Sequence, residues 1–287
     1  MKKLKQIFNE VKSGSAHNPE ELNNLLWQLI CYSPKMPVRL QQQQLLDEAE
    51  KFTLTVNDEH FAKRELSFNG FKWGSGKYKL LITHGWGSKA ADFTEMIMAL
   101  RDIDDLQIIA FDAPGNGSSE GELSNLLLYI KAVKAIIAQY GVPDIFIGHS
   151  LGGMANIMAV QETDSKPALI ISITPLIRLK ENFEASMTAA DVSREDQDSF
   201  LRSFEVHFHA PASKYNLKEL YDFTGKHWLA YDELDAISPY TFMEEFINTH
   251  PNIDTHNYEG VGHERIIKSP ELIDNVVELV KMTVNIK

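Results

Sequence analysis

Apolar residues recur at helical spacing near the start of the chain, at Leu4, Ile7, Phe8 and Val11 and again at Leu22, Leu25, Leu26, Leu29 and Ile30, which predicts amphipathic helices. Gly14, Asn18-Pro19, Ser33-Pro34 and Pro37 interrupt the pattern and mark connections. The tract Gln41–Gln44 is too short for a low-complexity region and reads as a solvated helix face. Residues 1–50 are therefore expected to form an N-terminal helical extension. Beyond them the period shortens to two: Phe52–Val56 and Glu65–Trp73 alternate as half-buried strands, with Asn69-Gly70 offering a turn inside the second stretch. The runs Tyr78–Thr83, Leu106–Phe111, Asp144–Ile147, Ala168–Ile173 and His227–Tyr231 are short and apolar, as strands buried on both faces are. Between them, Ser124–Tyr140 puts Leu127, Ile130, Val133, Ile136 and Ile137 on one face of a crossover helix. Ser269 as cap and Pro270 in the first turn open a last helix carrying Ile273, Val276, Val277 and Val280. Strand–helix alternation with long crossovers predicts an α/β fold, a mostly parallel central sheet flanked by helices on both sides.

One segment breaks the alternation. Residues 177–224 hold no strand-like run, and seven carboxylates stand between Glu181 and Glu205. They read as a helical insertion, leaving 51–176 and 225–287 as the core. Phe200, Phe204 and Phe208 fall at i, i+4 and i+8, an apolar stripe that either packs the insertion onto the core or walls a binding pocket.

Composition narrows the partners. A chain of 287 residues with 28 Lys+Arg, 40 Asp+Glu and a formal net charge of −12 has the makeup of a folded protein, and with no basic stripe it repels nucleic acid and anionic membrane alike. Cys31 is the single cysteine, which excludes an internal disulfide and a cysteine-based zinc cluster. Met1–Lys5 resembles the basic start of a signal peptide, but Asn9, Glu10 and Lys12 interrupt the stretch after it, and the apolar run Leu25–Cys31 is far shorter than the ~18 residues of a membrane span. A cytoplasmic protein is the expectation.

The sharpest motif is Gly148-His149-Ser150-Leu151-Gly152-Gly153, set between a strand and a helical run. A serine on such a corner is held out from the sheet, with glycines two before and two after it where a Cβ would strike neighbouring backbone. The helix beginning there aims its free N–H groups at any anion formed beside the serine. Two further landmarks precede it in order: His84-Gly85-Trp86-Gly87-Ser88, and Asp112-Ala113-Pro114-Gly115-Asn116-Gly117-Ser118. On these residues, and on Gly260-Val261-Gly262-His263-Glu264-Arg265-Ile266 near the end, residues 51–287 resemble the α/β-hydrolase family, and in particular bacterial members with an N-terminal helical arm.

The resemblance implies a Ser-His-Asp site. Ser150 would be the nucleophile, and a histidine must take its proton. Ten histidines compete. His84 and His149 lie within the motifs and suit turn support, while His207 and His209 lie in the insertion without a carboxylate pattern for a metal. His17, His60, His250 and His256 have no motif. His263 sits in a glycine-flanked loop after the apparent last strand, Asn252–Tyr258, where this fold presents its base. The acid in such proteins usually follows the strand after the insertion, in a pattern like Asp-x-x-x-Pro; Asp235 fits that register, Asp232 is its main rival and Glu233 stands behind both. Asp112 is expected to brace its own loop. The resemblance also implies an oxyanion hole from the backbone N–H groups of Leu151 and Trp86, with Trp86 free to line the pocket or to pack in the core.

The expected activity is cleavage of a carboxylic ester or related acyl bond in a small molecule through an acyl-enzyme, with no cofactor and no metal. A non-hydrolytic enzyme of lyase type and a binding or signalling module that keeps the triad are the alternatives. The acidic insertion hints at neutral or cationic substrates, though a solvated surface explains it equally, and whether the extension packs, gates the site or supports a homodimer stays open.

Overall fold

The computed structural model describes residues 2–285. Met1 of the basic start, and residues 286 and 287 of the expected core, lie outside them. Three helices come first: α1 (Lys2–Lys12), α2 (Pro19–Cys31) and α3 (Leu40–Asp47). Helix α2 begins where its sequence dictates, because the Asn18 side chain accepts the Glu21 amide at 2.9 Å and Pro19 has no N–H to leave unpaired. Next come β1 (Glu50–Asp58), β2 (Arg64–Trp73), β3 (Tyr78–Thr83), α4 (Thr94–Leu100), β4 (Leu106–Phe111), α5 (Leu126–Tyr140), β5 (Ile145–His149), α6 (Leu151–Glu162) and β6 (Leu169–Ile173). Helices α7 (Leu179–Ala189), α8 (Arg194–Phe208) and α9 (Leu217–Leu220) stand between β6 and β7 (Lys226–Tyr231). The chain continues through α10 (Tyr240–Thr249) and β8 (Asp254–Asn257) to α11 (Pro270–Asn285). Among the described residues no helix is long and apolar enough to cross a membrane.

The strands form one sheet in the order β1-β2-β4-β3-β5-β6-β7-β8. Pairs from β4 to β8 run parallel, while β1 and β2 are antiparallel to their neighbours. The parallel strands are apolar throughout because each face meets helices: Leu81, Ile109, Phe146 and Ile170 point into the core under α2, α5, α6 and α8, and Leu80, Ile108, Ile147 and Ile171 into the core under α3, α4 and α11.

The turn expected at Asn69-Gly70 does not form. Gly70 lies within β2, paired with Phe52 on one side and Phe111 on the other. The Phe52 ring covers it so closely that a Cβ there would sit 2.0 Å from the ring, so this glycine serves a close approach. The chain reverses earlier, where the Asp58 carboxylate accepts the amides of His60, Phe61 and Ala62 and Lys63 takes a φ of 51°.

Helices α2 and α8 meet through aromatic rings. Trp27 stands 4.7 Å from Phe200 and 6.0 Å from Phe204 between ring centroids, and Phe183 packs edge-on against both. Phe200 is 1% exposed. Phe200→Ala is therefore expected to destabilise the protein by about 3–5 kcal/mol, read as a lowered midpoint in urea unfolding with an unchanged slope.

All the parallel strands end at one rim. There His84 follows β3, Asp112 follows β4, Ser150 follows β5, Asp232 and Asp235 follow β7, and His263 follows β8, which is where open parallel sheets carry their sites.

Candidate active site

Ser150 occupies the corner between β5 and α6 with φ 53° and ψ −121°. A non-glycine residue there stores about 1–3 kcal/mol of backbone strain. The surroundings enforce it: the Ser150 N–H donates to Ile173 O at 3.0 Å, and its carbonyl accepts the amides of Gly153 (3.0 Å), Met154 (3.3 Å) and Leu176 (3.1 Å). Gly152 is required because a Cβ would lie 2.3 Å from the Thr83 carbonyl oxygen. Across the corner, a Cβ on Gly85 would sit 3.1 Å from Ser150 Cβ, so the His84-Gly85-Trp86 turn runs directly beside the serine.

His263 and Asp235 meet. Their Nδ1 and Oδ2 atoms are 2.6 Å apart, and the Asp235 side chain is 1% exposed. The other oxygen, Oδ1, accepts the amides of Ile237 (2.7 Å) and Ser238 (2.9 Å), which aims the carboxylate at the imidazole. Asp232 faces elsewhere. Its oxygens accept the amides of Gly260 (3.0 Å), Gly262 (2.7 Å) and Leu234 (2.9 Å), so it staples the loop that carries His263. Burial opposes charge on Asp232, but the amides of Gly262, Leu234 and Gly260 outweigh it and hold the carboxyl below its usual range.

A second histidine supports the same loop. His149 lies one residue before the serine, and its Nε2 is 2.9 Å from the His263 carbonyl oxygen, with the two rings 4.8 Å apart. Burial, and then the charge of His263, push His149 down to about 3, so at neutral pH it is an uncharged Nε2–H donor. This tie joins residues 114 positions apart and has no counterpart in local pattern. Among the described residues no hydrogen bond joins Ser150 Oγ to His263, although both border one cavity of about 790 Å³. Catalytic hydrogen bonds of this kind are often long before substrate enters and tighten in its complex.

Trp86 and Leu151 border that cavity too, and neither backbone N–H donates to another backbone group among the described residues. Leu151 N–H is also the first of α6, where the helix dipole favours negative charge. Trp86 is 37% exposed at the cavity mouth, which excludes simple core packing for its ring. His84 is buried and braces its turn: Nε2 accepts the Ala113 amide at 2.9 Å, which leaves Nδ1 to donate to Gly85 O at 2.6 Å. Asp112 accepts the amides of Ala90 (2.8 Å) and Ser118 (2.7 Å).

Phe204 and Phe208 border the cavity while Phe200 does not, so the stripe divides between the two roles expected of it. None of the insertion's carboxylates borders the cavity. His207 lies among rings instead, 5.2 Å from Trp27 and 5.3 Å from Phe61, and no cluster of metal-ligating side chains occurs among the described residues. The N-terminal segment adds to the same lining through Leu29 and Ile30 of α2 and Pro34 beyond it. That segment is tied down by Ser124 N–H to Cys31 O at 2.7 Å, by Ser33 Oγ to Asn116 Oδ1, and by Lys35 Nζ to Ser119 O at 2.6 Å.

A strained serine elbow, an imidazole on a buried carboxylate and two free N–H groups at one sheet rim define a class, and residues 80–269 match the family model described as the alpha/beta hydrolase family. The chain belongs to that family. Among curated proteins it is similar to monoglyceride lipase of Rattus norvegicus, 31% identical over 114 residues that cover 36% of this chain and 37% of the lipase. It is also similar to a pimeloyl-[acyl-carrier protein] methyl ester esterase of Wigglesworthia glossinidia brevipalpis, 26% identical over 50% of this chain and 52% of that one. The matches thus span about a third to a half of these relatives. Solved structures share the fold: a hydrolase from Agrobacterium vitis at TM-score 0.64 and 14% identity, covering 82% of this chain and 98% of that one, and an esterase from Pyrococcus furiosus at 0.61 and 16%, covering 89% and 97%.

Proposed function

We propose that the protein is a serine hydrolase that cleaves a carboxylic ester of a small molecule through an acyl-enzyme intermediate. The observation that carries this reading is the 2.6 Å bond from His263 Nδ1 to buried Asp235, formed at the cavity that also exposes the strained Ser150. In this mechanism Asp235 fixes the tautomer, so that Nε2 of His263 is the lone-pair nitrogen turned to the serine. Ser150 Oγ attacks the carbonyl carbon as His263 takes its proton, and the Trp86 and Leu151 N–H groups receive the oxyanion, where each donor is worth about 10²–10³ in turnover. His263 then protonates the leaving alkoxide, and in the second half it activates the water that releases the acid. Helices α7 to α9 act as a lid over the site, and α2 packs against them as part of the same wall.

The acyl half fits the apolar side of the cavity, where Phe183, Phe204 and Phe208 stand. Catalytic efficiency on p-nitrophenyl esters is expected to climb at least tenfold from acetyl to octanoyl, since each buried methylene contributes up to about 0.8 kcal/mol. A fluorophosphonate probe is expected to label Ser150 stoichiometrically, as seen by intact-protein mass spectrometry and peptide mapping. A wild-type protein that stays unlabelled, or that is labelled elsewhere, would turn the reading toward a binding module.

A further inference from the structure

The cavity is polarised. On the α2, α5, α7 and α8 side its lining is mainly apolar, with Asn182 and Ser186 of α7 the polar side chains on those helices, and the apolar residues belong to the core beneath them. On the other side, built from the start of α3, the 3-10 turns Ala90–Phe93 and Ile266–Lys268 and the loops before them, the lining carries Arg39, Lys89, Arg265 and Lys268. Asp92 and Glu264 are the carboxylates there. Lys89 is spoken for, with Nζ 3.1 Å from Asp92 Oδ1 and 6% exposure. Arg39, Arg265 and Lys268 form no ion pair among the described residues.

Their segments line one cavity and are linked through α4. Arg265 and Lys268 are three apart across a 3-10 turn, where side chains at i and i+3 eclipse. Arg39 precedes α3, whose Gln42 donates to Ala91 O and Asp92 Oδ1 at 3.0 Å each, and the Ala90–Phe93 turn leads into α4, which packs on the Ile266–Lys268 turn. Unpaired like charges lining one cavity repel one another. They do so on a chain whose net charge is −12. Such an arrangement suits an anion placed among them.

We infer that the substrate is an ester with an apolar acyl chain and an anionic group, phosphate or carboxylate, on its alcohol half, held by Arg39, Arg265 and Lys268. The orientation comes from the chemistry and rests on the hydrolase reading above. The leaving oxygen must reach His263 to be protonated, and Arg265 and Lys268 lie two and five residues beyond His263 on the same loop and turn. The alcohol half therefore points to the cationic side and the acyl half to the phenylalanines. These three are specificity residues and touch no reacting atom.

The test compares three esters with one octanoyl chain: octanoylglycerol, octanoylglycerol phosphate and octanoylglycolate. The wild type is expected to favour at least one anionic ester over octanoylglycerol in kcat/KM, and which one separates a phosphate from a carboxylate site. In R39Q/R265Q the ratio of anionic to neutral efficiency is expected to fall about tenfold, mostly through KM, with a smaller fall for K268Q alone. In wild type the same ratio should shrink as salt rises from about 20 mM to about 500 mM, which needs no variant. A neutral preference, or a ratio indifferent to both salt and substitution, overturns the inference. Should none of the esters turn over and the probe leave Ser150 unlabelled, the hydrolase reading is what has failed. Calorimetry with octyl phosphate then decides the rim: binding lost in R39Q/R265Q upholds it, and no binding removes it.

Discussion

His263→Ala is expected to lower kcat on p-nitrophenyl butyrate by about 10⁴-fold or more, and Ser150→Ala to do the same. Combining the two should add little, because the proposed nucleophile and base act as a unit. The competing base is His149, which is nearer in sequence to the serine. It is ill suited to the task. A nitrogen pushed down to about 3 holds protons weakly, and the Nε2–H of His149 is engaged with the His263 carbonyl. His263 has the opposite setting, with Nδ1 on a buried carboxylate that stabilises the imidazolium as it forms. Initial rates, normalised to protein shown folded by circular dichroism, check this. A His263→Ala variant that keeps a tenth of wild-type turnover would remove His263 from the proton transfer and return attention to His149.

The serine corner was legible because its determinants are local. Strand, glycines and helix lie within the few residues around Ser150, and the clash that forbids a side chain at Gly148 comes from Gly153 of the same turn, although the one at Gly152 comes from the distant Thr83 and His84 carbonyls. The sheet was legible for a similar reason, since strands covered on both faces must be apolar throughout. Propensity misled at Asn69-Gly70, where the Phe52 ring, 17 and 18 positions away, needed the space that a glycine leaves. Longer connections left no trace in local pattern. Ser33 with Asn116, Gln42 with Ala91 and Asn23 with Ser203 tie the first three helices to the body of the protein, and each joins segments that periodicity treats separately. The acidic stretch from Glu181 to Glu205 suggested the character of the ligand, yet none of its carboxylates borders the cavity, while the three unpaired cations come from segments that looked unrelated. Charge summed along a chain and charge gathered around a cavity are different quantities.

Asp235→Asn and Asp232→Asn are expected to fail in different ways, although the two residues sit three apart after the same strand. In Asp235→Asn the amide oxygen can keep the Ile237 and Ser238 amides, which turns its NH₂ toward His263 Nδ1. His263 must then put its own proton on Nε2, the atom that has to accept from the serine, and kcat is expected to drop about 10³–10⁴-fold with the fold intact. In Asp232→Asn an NH₂ group instead meets backbone N–H donors of Gly260, Gly262 or Leu234, and a buried donor without an acceptor costs about 1–3 kcal/mol. Its first effect is thus on stability, with a smaller loss of rate as the His263 loop loosens. The pH dependence separates them further. Because the Asp232 carboxyl is held below its usual range in the folded protein, its stabilisation is complete above the unfolded value of about 3.9 and fades as pH falls through the folded one. The stability gap between wild type and Asp232→Asn should therefore be widest near neutral pH and close in acid, as urea midpoints from pH 7 down to about 3 would record. If Asp232→Asn abolishes turnover while remaining as stable as wild type, and Asp235→Asn keeps its activity, the acid of the site is Asp232 and the bond from Asp235 to His263 is structural.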